Sequence, residues 1–390
     1  MRENRVRWIT GLKGVFALIV IFRHFANGFL PALHTGADLD SKIFFSNGSS
    51  LENLINQSPL YLLINGSFSV FIFWTLSGLL ISHYYYNCGG DKIPELRRKT
   101  VKRVSGVFGT IAVTYATAYV MMKLGLFTNI EAAQYTQSQW LQGFYNFPAT
   151  ISMLLRSALL DTFFTTNVPF NPVLWTVSIE VKGTILLLMF LTLFGQMKHR
   201  NVLRVIILIG MLYTAQLQYI CFFFGMILGE YCGKIHFNGR VSFVLLLISM
   251  IMGAYPSDFQ PMGFFEKIPI YVNLFGFTVD SRTLIYLLSA SGVILAVMAN
   301  ATLQRLFSAK WLIWMGRVSM EVYFIHIIVE CSISSKLFSI LYRHTANYCA
   351  SLVGMLIASF AVIYTISYYF HKLNIVYDGY MNQLVKKFVE

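Results

Sequence analysis

Ten apolar stretches punctuate the chain, at about 8–30, 66–86, 104–124, 172–195, 203–216, 219–233, 241–255, 282–300, 318–338 and 350–371. Polar and charged residues gather between them, mostly in short connections. About 20 apolar residues is the length an α-helix needs to cross a bilayer. The pattern predicts an all-α, polytopic membrane protein of about ten transmembrane helices, with residues 1–390 forming a single membrane-embedded domain. The fifth stretch is the shortest and suits a tilted or re-entrant helix. No internal repeat is visible, which argues against an inverted-repeat transporter.

Composition removes the soluble alternatives. The chain is 56% hydrophobic and 12% charged, with 34 phenylalanines, and a soluble domain of this size carries far more charge. The first stretch is too long for the apolar core of a signal peptide, and no small-residue cleavage site follows it, so it is read as the first span. The net charge of +13 is sorted by side of the membrane. With the N-terminus inside, the inner connections hold 20 lysines and arginines and the outer ones 6. The positive-inside rule then places both termini in the cytoplasm, requires an even number of spans, and fits a cytoplasmic (plasma) membrane protein. Charge distributed this way is not a basic patch interleaved with stacking aromatics, so the expected partner is the lipid bilayer and not nucleic acid. Cys88, Cys221, Cys232, Cys331 and Cys349 form no paired motif, which indicates neither a disulfide framework nor a metal site.

Two outer segments are long, 31–65 and 127–171. They are places to hold an extracytoplasmic acceptor, or plain lids and spacers. Asn47-Gly48-Ser49 and Asn65-Gly66-Ser67 fit the glycosylation acceptor pattern, which arises often by chance.

Ionisable residues inside apolar stretches are costly and by default mark a cavity or a pathway. The first stretch carries Lys13 and His24, eleven positions apart and so nearly in register on one helical face, about 16 Å apart along the axis. His24 lies about six residues from the outer end of its span and Glu180 about nine residues into the fourth, depths of about 9 and 13 Å. The two can meet, and a carboxylate that holds an imidazole fixes its tautomer and raises its basicity. Glu180 can equally pair with Lys182 or Arg23. The inner run ELRRKTVKR before the third span either sets topology and touches anionic lipid or, with Lys13, holds the phosphates of a large cytosolic ligand. In the ninth span Tyr323, His326 and Glu330 share a face, as a site or as a polar seam between helices. Ser77-Gly78 reads as a close helix contact, since no nucleophile elbow surrounds the serine.

Four of these stretches together resemble the acyltransferase-3 family of integral membrane O-acyltransferases. Lys13 to His24 is similar to that family's Arg/Lys-x10-His signature, preceded by Gly11-Leu12 and followed by Gly14. Phe73-Trp74-Thr75-Leu76-Ser77-Gly78 resembles its FFVLSG wording, Trp175 to Glu180 its WSLSVE motif, and Ser319 to His326 its SYxxYLxH motif. The core motifs lie within residues 7–371. Lys13 stands where arginine is commoner, the paired arginines before the third span are matched loosely by Lys99, Lys102 and Arg103, and Val-Lys-Gly follows Glu180 in place of acidic and aromatic residues.

The resemblance implies an enzyme that takes an acyl group, most often acetyl from cytosolic acetyl-CoA, and passes it to a hydroxyl of an extracytoplasmic or lipid-linked carbohydrate. No cofactor is held permanently; acyl-CoA is a donor substrate. His24 would act as catalytic base or transient acyl carrier, oriented by Glu180. Lys13, Lys99, Lys102 and Arg103 would bind the donor's phosphates, while Trp175, Ser178, Tyr323 and His326 would shape the acceptor chamber. The rival reading is a multi-span transporter of a lipid-linked sugar or organic anion that uses the same buried His and Glu for proton coupling.

Overall fold

Ten helices coincide with the ten apolar stretches. In a computed structural model that describes residues 7–35, 51–87, 92–214, 216–258, 261–274 and 276–389, they are α1 (Arg7–Phe29), α2 (Gly66–Asn87), α3 (Lys92–Lys123), α4 (Trp175–Phe194), α5 (Arg200–Tyr213), α6 (Leu217–Glu230), α7 (Gly239–Gly253), α8 (Ser281–Met298), α9 (Ser319–Thr345) and α10 (Tyr348–Val389). Among the described residues, seven helices are long and apolar enough to cross a membrane: α1, α2, Ser105–Lys123 of α3, α4 with its preceding turn, α8, α9 and most of α10. The chain is thus an integral, predominantly α-helical membrane protein. The other three, α5, α6 and α7, have 14, 14 and 15 residues. At about 1.5 Å per residue they fall short of the roughly 30 Å hydrocarbon core. Equal apolarity thus conceals unequal length. A small hairpin interrupts the helices, with β1 (Tyr271–Leu274) antiparallel to β2 (Phe277–Asp280), Tyr271 opposite Asp280 and Leu274 opposite Phe277.

The chain divides into two compact units. One comprises Met1–Ile19, Asn56–Lys99 and Ile179–Arg317; the other comprises Val20–Ile55, Thr100–Ser178 and Val318–Glu390.

In the first unit the tightest pairing is α2 on α6. A methyl group on Gly225 would overlap Thr75 O, one on Gly229 would overlap Ser82 Oγ, and one on Gly78 would overlap Phe222 O. Small residues let two backbones approach where lipid offers no hydrophobic drive to association. This accounts for Gly78, read from the sequence as a close-contact residue. The start of α1 is packed in the same way: Gly11 and Gly14 face Leu312 and the backbone of Phe307 and Gly316. Asn65 caps α2 by accepting from Phe68 N at 3.1 Å, and its amide donates to Gly253 O, Tyr255 O and Tyr286 Oη at 2.8–2.9 Å. Asn65 is 0% exposed, so the tripeptide it begins is a helix cap and not a glycosylation site; Asn47 lies outside the described residues. Arg200 and Arg204 share Glu230 through N–O distances of 2.5 Å each, and Arg204 also donates to Tyr86 Oη.

The second unit gathers α1 from Val20 onward, α3 from Thr100 onward, α9 and α10. Segment 127–171 is not a plain spacer. It folds into short helices, including Asn129–Thr136, Gln139–Gln142 and Ile151–Arg156. Asn129 Nδ2 ties two of its turns together by donating to Leu141 O and Phe144 O at 2.8 Å. The segment docks where α9 widens into a π-helical turn over Glu330–Ser334. Such a turn shifts the helix's own bonding register. Here Thr128 N donates to Cys331 O and Thr128 Oγ1 to Ser332 O, each at 3.0 Å.

Candidate active site

His24 and His326 meet across the interface of α1 and α9. His326 Nε2 lies 3.0 Å from His24 Nδ1, and the ring centroids are 4.8 Å apart. Each ring also reaches the carbonyl four residues before it: His24 Nδ1 is 2.9 Å from Val20 O, and His326 Nδ1 is 3.1 Å from Val322 O. A carbonyl oxygen only accepts, so in the neutral rings each Nδ1 carries the hydrogen and each Nε2 the lone pair. The hydrogen on His24 Nδ1 is then shared between Val20 O and His326 Nε2. His24 Nε2 is left with its lone pair and no partner among the described residues. Two helical carbonyls and a second imidazole therefore set the tautomer of His24 to the one that suits a base or a nucleophile.

The neighbours of this pair are aromatic and polar. Trp140 lies against His24 with ring centroids 5.6 Å apart and 30° between planes. Behind it, Phe144 meets the indole edge-to-face at 4.5 Å. Phe144 also lines an open cleft of about 550 Å³ with Gly143, Tyr145, Phe147, Asn167 and Trp175 among its walls. Aromatic faces with a few polar groups suit the alternating C–H and O–H surfaces of a saccharide. Tyr145 is held at φ 54°, a left-handed conformation that a bulky residue rarely adopts. It is pinned there by stacking on Phe127 at 3.7 Å and by donating from Oη to Phe170 O at 3.3 Å.

Several residues singled out from the sequence converge in this unit. Trp175 is on the cleft wall, 39% exposed. Tyr323 Oη donates to Val173 O at 3.0 Å and lies 3.1 Å from Thr176 Oγ1. It pins the turn that starts α4 to α9, and its ring is 5.8 Å from His326. Ser178 is buried, its hydroxyl without a partner among the described residues. His326, expected in the chamber wall, lies beside His24 Nδ1. Lys13 and Glu180 belong to the first unit, both partly buried. The side chains of Lys99, Lys102 and Arg103 lie outside the described residues. Arg23 donates to Leu33 O at 3.3 Å and meets His34 Nδ1 at 3.0 Å.

Sequence reasoning gave no role to Trp140 or Asn27. Trp140 sits in a segment with no motif, and nothing in its local pattern marks it. Asn27 was legible, since position 27 follows His24 by one helical turn and is polar in an apolar run.

Compared with known families, the chain matches the acyltransferase-3 model, described as an acyltransferase domain, over residues 6–370, nearly its whole length. Neither the curated proteins nor the solved structures provide a match.

Proposed function

Because the chain belongs to the acyltransferase-3 family and is a membrane acyltransferase, we propose that it moves an acetyl group from cytosolic acetyl-CoA to a hydroxyl of a carbohydrate at the outer face of the cytoplasmic membrane. The observation that carries this reading is the His24–His326 pair, with its tautomers fixed and one lone pair left on His24 Nε2. That nitrogen takes the proton of the acceptor hydroxyl as its oxygen attacks the thioester carbonyl. The C–S bond breaks, an ester forms, and the same proton passes to the departing sulfur to give CoA as the thiol. His326 holds the ring and spreads the positive charge that develops on it.

In this reading Lys13, Lys99, Lys102 and Arg103 meet the donor's phosphates at the inner mouth, where cations suit phosphate. Trp175 and the other aromatic residues of the cleft hold the saccharide, and Tyr323 and Ser178 shape its floor. Glu180 contributes negative charge that raises the basicity of the imidazole. Ten membrane passages with both termini inside complete the proposal, with the three short helices crossing by tilt or by local thinning of the bilayer.

Mass spectrometry of surface glycan from cells making His24→Ala at normal membrane levels tests the reading. The expected result is loss of acetylation by at least about a hundredfold. Retained acetylation removes His24 from the chemistry. A wild-type protein that adds no acyl group, and whose activity collapses with a protonophore, is a carrier instead.

A further inference from the structure

One turn beyond the histidine pair the two helices change character together. Four residues past His24 stands Gly28, and four past His326 stands Glu330. A methyl group added at Gly28 would lie 2.7 Å from Glu330 Oε1, so the carboxyl rests on the bare backbone of α1. Glu330 is 0% exposed, and neither of its oxygens meets a donor among the described residues. Asn27 Oδ1, on the adjacent position of α1, is also buried and unmet. The histidine level is internally bonded except for one lone pair; in the next turn three oxygens, both of Glu330 and Oδ1 of Asn27, are unmet among the described residues.

Buried acceptors without donors are costly and rare in native structures, so a cluster of them beside a reactive group needs an explanation. This one also adjoins the cleft. Phe127, stacked at 3.7 Å on Tyr145 of the cleft wall, is followed by Thr128, whose N donates at 3.0 Å to Cys331 O, the residue after Glu330. A ligand that fits must bring hydrogen-bond donors to one level and a reactive hydroxyl to the other. One turn is about 5.4 Å, the scale of a single sugar ring.

We propose that Glu330, with Asn27, takes a second hydroxyl of the acceptor and so determines which hydroxyl of the sugar is presented to His24. This rests on the O-acetyltransferase reading above. A polyol supplies what the level lacks, because each hydroxyl donates one hydrogen bond. An acceptor without a hydroxyl at the second position leaves the carboxyl unmet and is rejected strongly, as in other sites built to pair a substrate hydroxyl. Gly28 is the complement of Glu330, since any side chain there displaces the carboxyl.

The test uses full-length protein in native membranes, with radiolabelled acetyl-CoA as donor and the cell's own surface glycan as acceptor. Wild type, Glu330→Gln, Glu330→Leu and Gly28→Ala are compared for rate and, by NMR of the product, for position of the ester. Wild type is expected to acetylate one position. Glu330→Gln should lower acceptor kcat/KM about tenfold and Glu330→Leu about a hundredfold, with the KM for acetyl-CoA unchanged. The residual ester should spread over more than one hydroxyl. Gly28→Ala should resemble Glu330→Gln, an agreement that a fault in folding of one variant would not produce. Single-position acetylation at the wild-type rate by Glu330→Leu overturns the proposal alone. A parallel rise in KM for acetyl-CoA in all variants assigns Glu330 a purely structural role and overturns it too. Absence of glycan acetylation by wild type overturns the O-acetyltransferase reading itself.

Discussion

His34, just past the end of α1, shows how one contact sets a pH dependence. Its Nδ1 faces the Arg23 guanidinium at 3.0 Å, and burial, then that neighbouring cation, lowers its pKa to about 4 from the usual 6.5. Folded, it stays neutral and accepts from Arg23; unfolded, it protonates near 6.5. Between those values the unfolded chain binds the extra proton, so stability is full above about pH 6.5 and falls as pH drops toward 4. Thermal unfolding in detergent across that window should show the decline, and His34→Gln should flatten it; an identical pH profile in the variant would exclude the contact as its source. At the same scale, His24 was legible in the sequence because an imidazole in an apolar run is conspicuous. Its partner was not, since a carboxylate and an imidazole serve equally well on paper. The approach of His326 Nε2 to His24 Nδ1 is visible only in the folded chain.

Among the elements, the α2–α6 pair shows what small residues accomplish between membrane helices. Thr75, Gly78 and Ser82 face Phe222, Gly225 and Gly229 with backbones nearly touching. A methyl on Gly225 meets a carbonyl oxygen that cannot turn aside. Gly225→Ala should therefore destabilise the protein by about 1–3 kcal/mol. Gly210→Ala is the contrast, because α5 leaves open space around that position and alanine favours the helix by about 1 kcal/mol. Thermal midpoints in detergent should move in opposite directions; equal shifts would refute the packing argument. Element positions were readable from hydropathy, though α3 starts about twelve residues before its apolar stretch and α10 runs past the end of its own, whereas the π-helical turn at Glu330–Ser334 was not readable. Thr128, about 200 positions earlier, bonds two of its carbonyls, and no local pattern encodes so distant a partner.

For the whole molecule, the sorting of lysine and arginine makes a prediction about sidedness. Single cysteines introduced at Lys198 and Asn347, both exposed, into a cysteine-free background should label differently with an impermeant maleimide. Lys198→Cys should react only from the cytoplasmic side and Asn347→Cys only from outside. Labelling of both from one side would refute the ten-passage topology. The sequence by itself determined what a one-dimensional pattern can carry: a helical protein in a membrane, the order of its apolar stretches, the family, and His24 as the residue to examine. Burial in lipid imposes apolar runs of fixed length, and those are visible without coordinates. Tertiary structure alone decided that His326 holds His24, that segment 127–171 folds into a cap with an aromatic cleft, and that Glu330 rests unmet on Gly28. Each of these depends on atoms far apart in the chain coming within hydrogen-bonding or van der Waals distance, and only the packing of the helices brings them there.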